Sequence, residues 1–464
     1  MPRRLFLLSL LALAAPLQAQ QTRLGADFSG ERERFTKSCL SFTFKALGGC
    51  AQVLFTDHPL HIAVGSIAPQ NGFAAGAAFV AHWTPNETWR LNWNADAVAS
   101  PNGSWRAGVY MKAVRVPNRT ITVTTGPATA ADTGLAVEEA PFFNLYAQAI
   151  SLNKIYYFGL GPDTSRNDRA VFGMSERIVG TNVVWPVYGR LNLSLYGEAN
   201  GRFVDIRGNH GESSPSIEAL YSDATAPGLA AQPGFAQFGE GARLRPRLLS
   251  DYLRLNYFLN FQQFVAGDSR FSFRRLTVDL NHQVPIYKNT TRTALAKDHN
   301  GPDACAVDSS KDSPCPQVVR NLEGSVAFRF FLSDSFTSAG SVVPFYFQPT
   351  LGGSDINGNT SLPSFQDYRF RAPNVMFLRE TFEHSIGKLP LGVALSLDQG
   401  KVALTRGALG SSPWLHTYSA GLTLRAGGFP QIFLLFSWGS GEGTHTAANV
   451  NTSLLGGSPR PSLF

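Results

Sequence analysis

The chain has 464 residues, of which 16% are charged and 12% aromatic, with 44 glycines and a formal net charge of +7. Typical soluble domains carry roughly 25% charged residues, so this composition argues against an ordinary water-covered surface. The modest positive excess comes without basic runs, which excludes the pattern of a nucleic-acid binder.

The first element is a leader. Arg3 and Arg4 precede an apolar run from Leu5 to Ala15, and Pro16 to Ala19 forms a short exit. This is the build of a cleaved signal peptide over residues 1–19. Its removal takes the net charge from +7 to +5, since it carries two arginines. The run is too short for a transmembrane helix, and no later stretch is long and apolar enough. Residues 20–60 are expected to form a short periplasmic segment and residues 61–464 a second, larger unit. Cys39 and Cys50 bracket one short stretch and Cys305 and Cys315 another. In an exported chain two local disulfides are the expectation, and neither spacing is that of a metal site.

From about His61 onwards the dominant signal is alternation with period two. Trp89, Leu91, Trp93, Ala95 and Ala97 oppose Arg90, Asn92, Asn94 and Asp96. Leu191, Leu193 and Leu195 oppose Arg190, Asn192 and Ser194, and Leu253 to Phe261 and Leu391 to Asp398 repeat the pattern. Successive side chains of a strand point to opposite faces, so each segment has an apolar and a polar side. A transmembrane antiparallel β-barrel needs such segments, about ten residues each, with lipid outside and a polar lumen. A soluble β-sandwich also alternates, but its buried faces do not repeat Arg, Asn and Asp. Trp89, Tyr156, Tyr157, Tyr252, Tyr287, Trp414 and Trp438 are expected to form interfacial girdles.

Three polar stretches, Val114–Ala140, Asp205–Arg247 and Lys288–Arg320, are expected to be long extracellular loops, the last holding Cys305 and Cys315. Gly387–Pro390 and Ala426–Pro430 are expected to be periplasmic turns. Five strands are predicted after residue 373: Asn374–Ser385, Leu391–Asp398, His416–Ala426, Gln431–Gly439 and Thr446–Leu455. The chain before them has room for eleven more. The expected fold is all-β, a barrel of 16 strands in the bacterial outer membrane.

Between the eleventh and twelfth predicted strands lies "LGGSDINGNTSLPSFQDYRFR", Leu351 to Arg371. With its glycine pair Gly352 and Gly353 and its exit "QDYRFRAPNVMFL", it resembles the sixth extracellular loop of the bacterial surface antigen superfamily, the BamA/TamA-type outer-membrane assembly barrels. Asp398, Gly400 and Lys401 in "LSLDQGKV" resemble the strand that follows in that family, and Tyr156 to Arg169 resembles a stretch of its short members. The resemblance implies a loop folded into the lumen, with Gly352, Gly353, Asp367, Arg369 and Arg371 as loop residues and Asp398 and Gly400 as the lumenal counterpart.

The family's loop arginine aligns with Pro363, and its following glycine with Ser364. Proline has no side-chain donor and no N–H. Either Arg369 or Arg371 reaches Asp398 instead, or the loop is held otherwise. The segment between the leader and the first strand is too short for a POTRA domain, so this reads as a short member lacking them. Phe464 matches the terminal aromatic of outer-membrane barrels, while Pro459 and Pro461 end any ladder before it.

No catalytic motif is found: Ser440 in "WGSGEG" lacks the glycine of a nucleophile elbow, and the histidines are scattered. The chain is expected not to be an enzyme and to use no cofactor or metal. The expected partners are outer-membrane lipid and lipopolysaccharide, with a periplasmic partner protein supplying missing domains, and no nucleic acid. Two functions stay open: protein insertion or translocation at the outer membrane, or a passive pore or surface-structural barrel.

Overall fold

The computed structural model describes residues 59–86, 88–115, 140–209, 213–249, 252–294, 317–386, 391–424, 432–440, 442, 444–450 and 454–455, with positions 32, 33, 36 and 39. Strands β1 to β4 are Leu60–Ser66, Phe73–Trp83, Trp89–Ala99 and Trp105–Arg115. Strands β5 to β8 are Phe142–Tyr157, Ala170–Tyr188, Leu193–Gly208 and Phe235–Leu244. Strands β9 to β12 are Leu253–Ala266, Phe273–Ala294, Gln317–Thr337 and Asn374–Ser385. Strands β13 to β16 are Leu391–Ala403, Leu415–Leu424, Ile432–Gly439 and Thr444–Val450.

These segments form one up-and-down antiparallel sheet. It has eighteen pieces among the described residues, and two of them, Arg247–Leu248 and Leu454–Leu455, are two-residue pieces, which leaves sixteen strands. Five strands follow residue 373, as the alternation predicts, and eleven precede it, the number for which the earlier chain has room. After β16, Leu454 and Leu455 pair with Gly65 and Val64 of β1, so among the described residues the first and last parts of the sheet meet there.

The polarity of the sheet is the reverse of a soluble protein's. Trp93 is 43% exposed and Leu259 47%, whereas Asp96 and Asn260, each on the other face of the same strand, are 5% exposed. Arg106, Glu176, Arg202 and Gln237 are buried on the inner face, where Arg106 pairs with Asp96 at 2.7 Å and Arg202 with Glu176 at 2.6 Å. A row of large apolar side chains outside and paired charges inside is not how a water-exposed sheet arranges itself.

Several expectations need correcting. The stretch Asp205–Arg247 is not one loop: β7 runs to Gly208, and Phe235–Leu244 is a strand that pairs with both β7 and β9. Strands β10 and β11 extend into Lys288–Arg320 from both sides. Leu191 lies in a 3-10 turn, Gly189–Leu191, and not in the strand that follows. Neighbouring strands run antiparallel, so successive connections alternate between the two ends of the sheet. The β4–β5 and β10–β11 connections therefore leave from the same end as the turns after β12 and β14, opposite to the 338–373 connection. The strand ends that bracket Val114–Ala140 and Lys288–Arg320 lie at one end of the sheet and those of the β7–β8 connection at the other, while residues 116–139, 295–316 and 387–390 lie outside the described residues. Tyr157 belongs to no girdle, because it is fully buried under the 338–373 connection, while Trp414, Trp438 and Tyr252 are exposed. Cys39 is disulfide-bonded, and Cys50, Cys305, Cys315 and Phe464 lie outside the described residues.

Candidate functional site

Between Thr337 and Asn374 the chain folds back over the inner face. A 3-10 turn, Phe345–Phe347, comes first. Thr350–Leu351 then pairs with Phe370–Arg371, and inside that ladder Gly353–Ser354 pairs with Thr360–Ser361. The glycine pair is required at this bend. Gly352 and Gly353 have φ of 96° and 61°, and a Cβ on them would lie 2.6 Å from the Arg369 Cβ and 2.5 Å from the Asp367 nitrogen. At the tip the Asp355 Oδ1 accepts from the N–H groups of Asn357 and Asn359 at 2.9 and 2.7 Å, an Asx turn.

The loop is fastened to the wall by its backbone. Arg379 on β12 and Asp398 on β13 face each other and share hydrogen bonds of 2.7 Å from Nε and 2.6 Å from Nη2. Asp398 is fully buried, and its Oδ2 also accepts from the Leu362 N–H at 2.9 Å. The Arg379 Nη2 donates to the Thr360 carbonyl at 3.0 Å. Leu362 holds the left-handed region at φ 46°, a conformation that persists in a branched residue only when its surroundings fix it. Gly400 makes room for it: a Cβ there would meet the Leu351 and Leu362 Cδ1 atoms at 2.8 and 3.2 Å. The Ser364 hydroxyl adds a buried bond of 2.6 Å to that of Thr417 on β14.

Neither Arg369 nor Arg371 reaches Asp398. The Arg369 guanidinium is buried, donates to the Glu442 Oε1 at 2.6 Å and binds Thr164 through its hydroxyl and carbonyl at 2.7 and 2.6 Å. Arg371 donates to the Phe345 and Gln348 carbonyls at 2.8 and 3.3 Å. Burial pushes its guanidinium down to about 10, with Tyr157 and Tyr368 acting in the opposite direction. Both arginines are held within the loop and its neighbours, and the β12–β13 register places Arg379 opposite the carboxylate.

The loop also joins the two ends of the sheet. Asp367 Oδ2 accepts from the Gln70 side chain at 2.6 Å, and the Tyr368 hydroxyl donates to the Pro69 carbonyl at 3.2 Å, both in the β1–β2 connection. Glu442, the partner of Arg369, lies in the β15–β16 connection. One loop thus holds connections from both sides of the place where β1 meets Leu454–Leu455. Beneath it Phe345, Tyr346 and Phe347 pack with Tyr157, Phe172 and Phe235 in a buried aromatic core. Arg275 on β10 donates to the Phe347 carbonyl. The arrangement covers one end of the sheet's inner face and reaches both sides of the place where β1 meets Leu454–Leu455. Among the described residues no group of three His, Cys, Asp or Glu side chains could hold a metal.

Arg379, Thr360, Leu362, Thr164 and Glu442 were not singled out by the sequence. Arg379 carried a usable signal: counting outwards from the Gly387–Pro390 turn brings position 379 opposite 398. Thr164 and Glu442 carried none, since their contacts span elements remote in sequence.

No family model and no curated protein matches the chain. Among solved structures it is similar to CdiB from Acinetobacter baumannii, at 10% identity over 86% of this chain and 60% of that one, with a TM-score of 0.47. BamA from Haemophilus ducreyi lacking POTRA domains 1-3 is similar at 8% identity over 85% of this chain and 70% of that one, with a TM-score of 0.47. CdiB from Escherichia coli follows at 12% identity, 86% and 62% coverage and a TM-score of 0.46. The chain thus spans 60% of the length of the first of these structures.

Proposed function

We propose that this chain is a closed transmembrane barrel of the bacterial outer membrane, of the surface-antigen type, acting in protein insertion or translocation. The observation that carries the reading is the in-folded 338–373 loop, fastened to β12 and β13 at Arg379 and Asp398 and to connections on both sides of the first–last seam. The outward apolar face supports the membrane setting. The loop touches both sides of the place where β1 meets Leu454–Leu455, which couples the state of the lumen to that of the seam. A passive pore is the second reading; the replacement of the family's loop arginine by Pro363 favours it, and the buried aromatic core filling one end of the lumen argues against it.

The test is client folding in liposomes. A small unfolded outer-membrane barrel is added to vesicles that are empty, carry an unrelated barrel, or carry this protein. Faster acquisition of protease resistance with this protein supports the insertion role. Equal rates in all three, together with steady conductance in planar bilayers, leave the pore reading.

A further inference from the structure

On the outward face between β1 and β6 lies an apolar groove of about 590 Å³. Register explains its shape. Ala77 faces Ala97, Ala97 faces Ala107, Ala107 faces Ala149, and Ala149 faces Arg177. Directly opposed residues of antiparallel strands share a face, so the four alanines make a valley that ends at a guanidinium. The adjoining row, Phe79, Ala95, Val109, Ala147 and Val179, alternates bulky with small side chains and forms one side. With strands roughly 4.8 Å apart, the valley from Ala77 on β2 to Arg177 on β6 is about 19 Å long.

Arg177 is exposed on this face and, among the described residues, has no hydrogen-bond or ion-pair partner. The nearest acidic side chain on β7, Asp205, stands opposite Ser175 and bonds to its hydroxyl at 3.4 Å. A lone cation in a hydrocarbon-facing wall is costly unless an anion meets it. Guanidinium suits phosphate, which accepts its donors in pairs.

We infer that the groove is a lipid site, in which Arg177 binds the phosphate of an anionic glycerophospholipid and one acyl chain lies along the alanine valley towards β1. The inference rests on the membrane reading above. One unpaired guanidinium and one groove fit one phosphodiester and one chain; lipopolysaccharide would bring more phosphates and chains than the site can meet.

The test is native mass spectrometry of the full chain in detergent, with phosphatidylglycerol and lipopolysaccharide as competing probes. The parent is expected to retain one phosphatidylglycerol. Arg177→Gln, which removes the charge, and Ala97→Leu, which fills the valley, should each weaken retention about tenfold, with thermal unfolding unchanged. Equal retention by the parent and both variants, or preference for lipopolysaccharide, overturns the lipid site while leaving the barrel intact. A parent that stays folded and soluble without detergent overturns the membrane reading, and this site with it.

Discussion

Arg379 and Asp398 stand directly opposite each other on β12 and β13, and the loop that folds over the inner face meets this pair with main-chain groups alone, the Thr360 carbonyl and the Leu362 N–H. The family that the loop resembles places the arginine on the loop. Here the wall supplies it. Pro363 is compatible with this inversion because the donating N–H belongs to the residue before it, so the proline's missing N–H costs nothing.

Gly400 should tolerate no branched side chain. Its Cβ position is 2.8 Å from Leu351 and 3.2 Å from Leu362, so Gly400→Val must push the loop off the wall. The expected cost is about 1–3 kcal/mol, the usual range for overpacking. Urea unfolding from micelles measures it, and limited proteolysis should show new cleavage within residues 351–371. An unchanged midpoint and cleavage pattern would place the loop elsewhere.

Two glycines of the loop separate strain from crowding. Gly358 has φ 84° with nothing within 4 Å of a built Cβ, whereas Gly353 has φ 61° with Asp367 backbone at 2.5 Å. Gly358→Ala should cost about 1–2 kcal/mol, the left-handed penalty alone. Gly353→Ala should cost more than that, because the main chain of Asp367 must also move. Equal effects in a thermal melt would contradict the tight hairpin.

Arg369 is the tie to the last part of the sheet. Its side chain is 3% exposed, and removing it leaves Glu442 without its charge partner. Breaking such a pair typically costs about 3–5 kcal/mol. Arg369→Met should therefore loosen the closure of the lumen, which planar-bilayer recording would register as larger and more frequent openings than in the parent. A conductance identical to the parent's would mean that the loop does not depend on this tie.

Much of the fold was legible because a period of two assigns each residue a face. The five strands after residue 373 came from that, and the length of the chain before them left room for eleven more. Alternation does not say where a strand stops being covered, which is why Tyr157 read as a girdle residue when the loop in fact buries it. Nor does loop length say at which end a connection lies; parity does, and it separates the β10–β11 connection from the 338–373 connection. At the site, the glycines and Asp398 were visible as types, but their partners depend on register and on contacts remote in sequence. Only Arg379 could have been recovered, by counting from the turn it shares with Asp398.

The most direct test of the account is a double-mutant cycle on Arg379→Gln and Asp398→Asn, read by urea unfolding in micelles. If the wall pair holds the loop, the two substitutions are coupled by about 1–3 kcal/mol, and each alone exposes residues 351–371 to protease. Additive effects, within about 0.5 kcal/mol, with a protected loop in both single variants would contradict it.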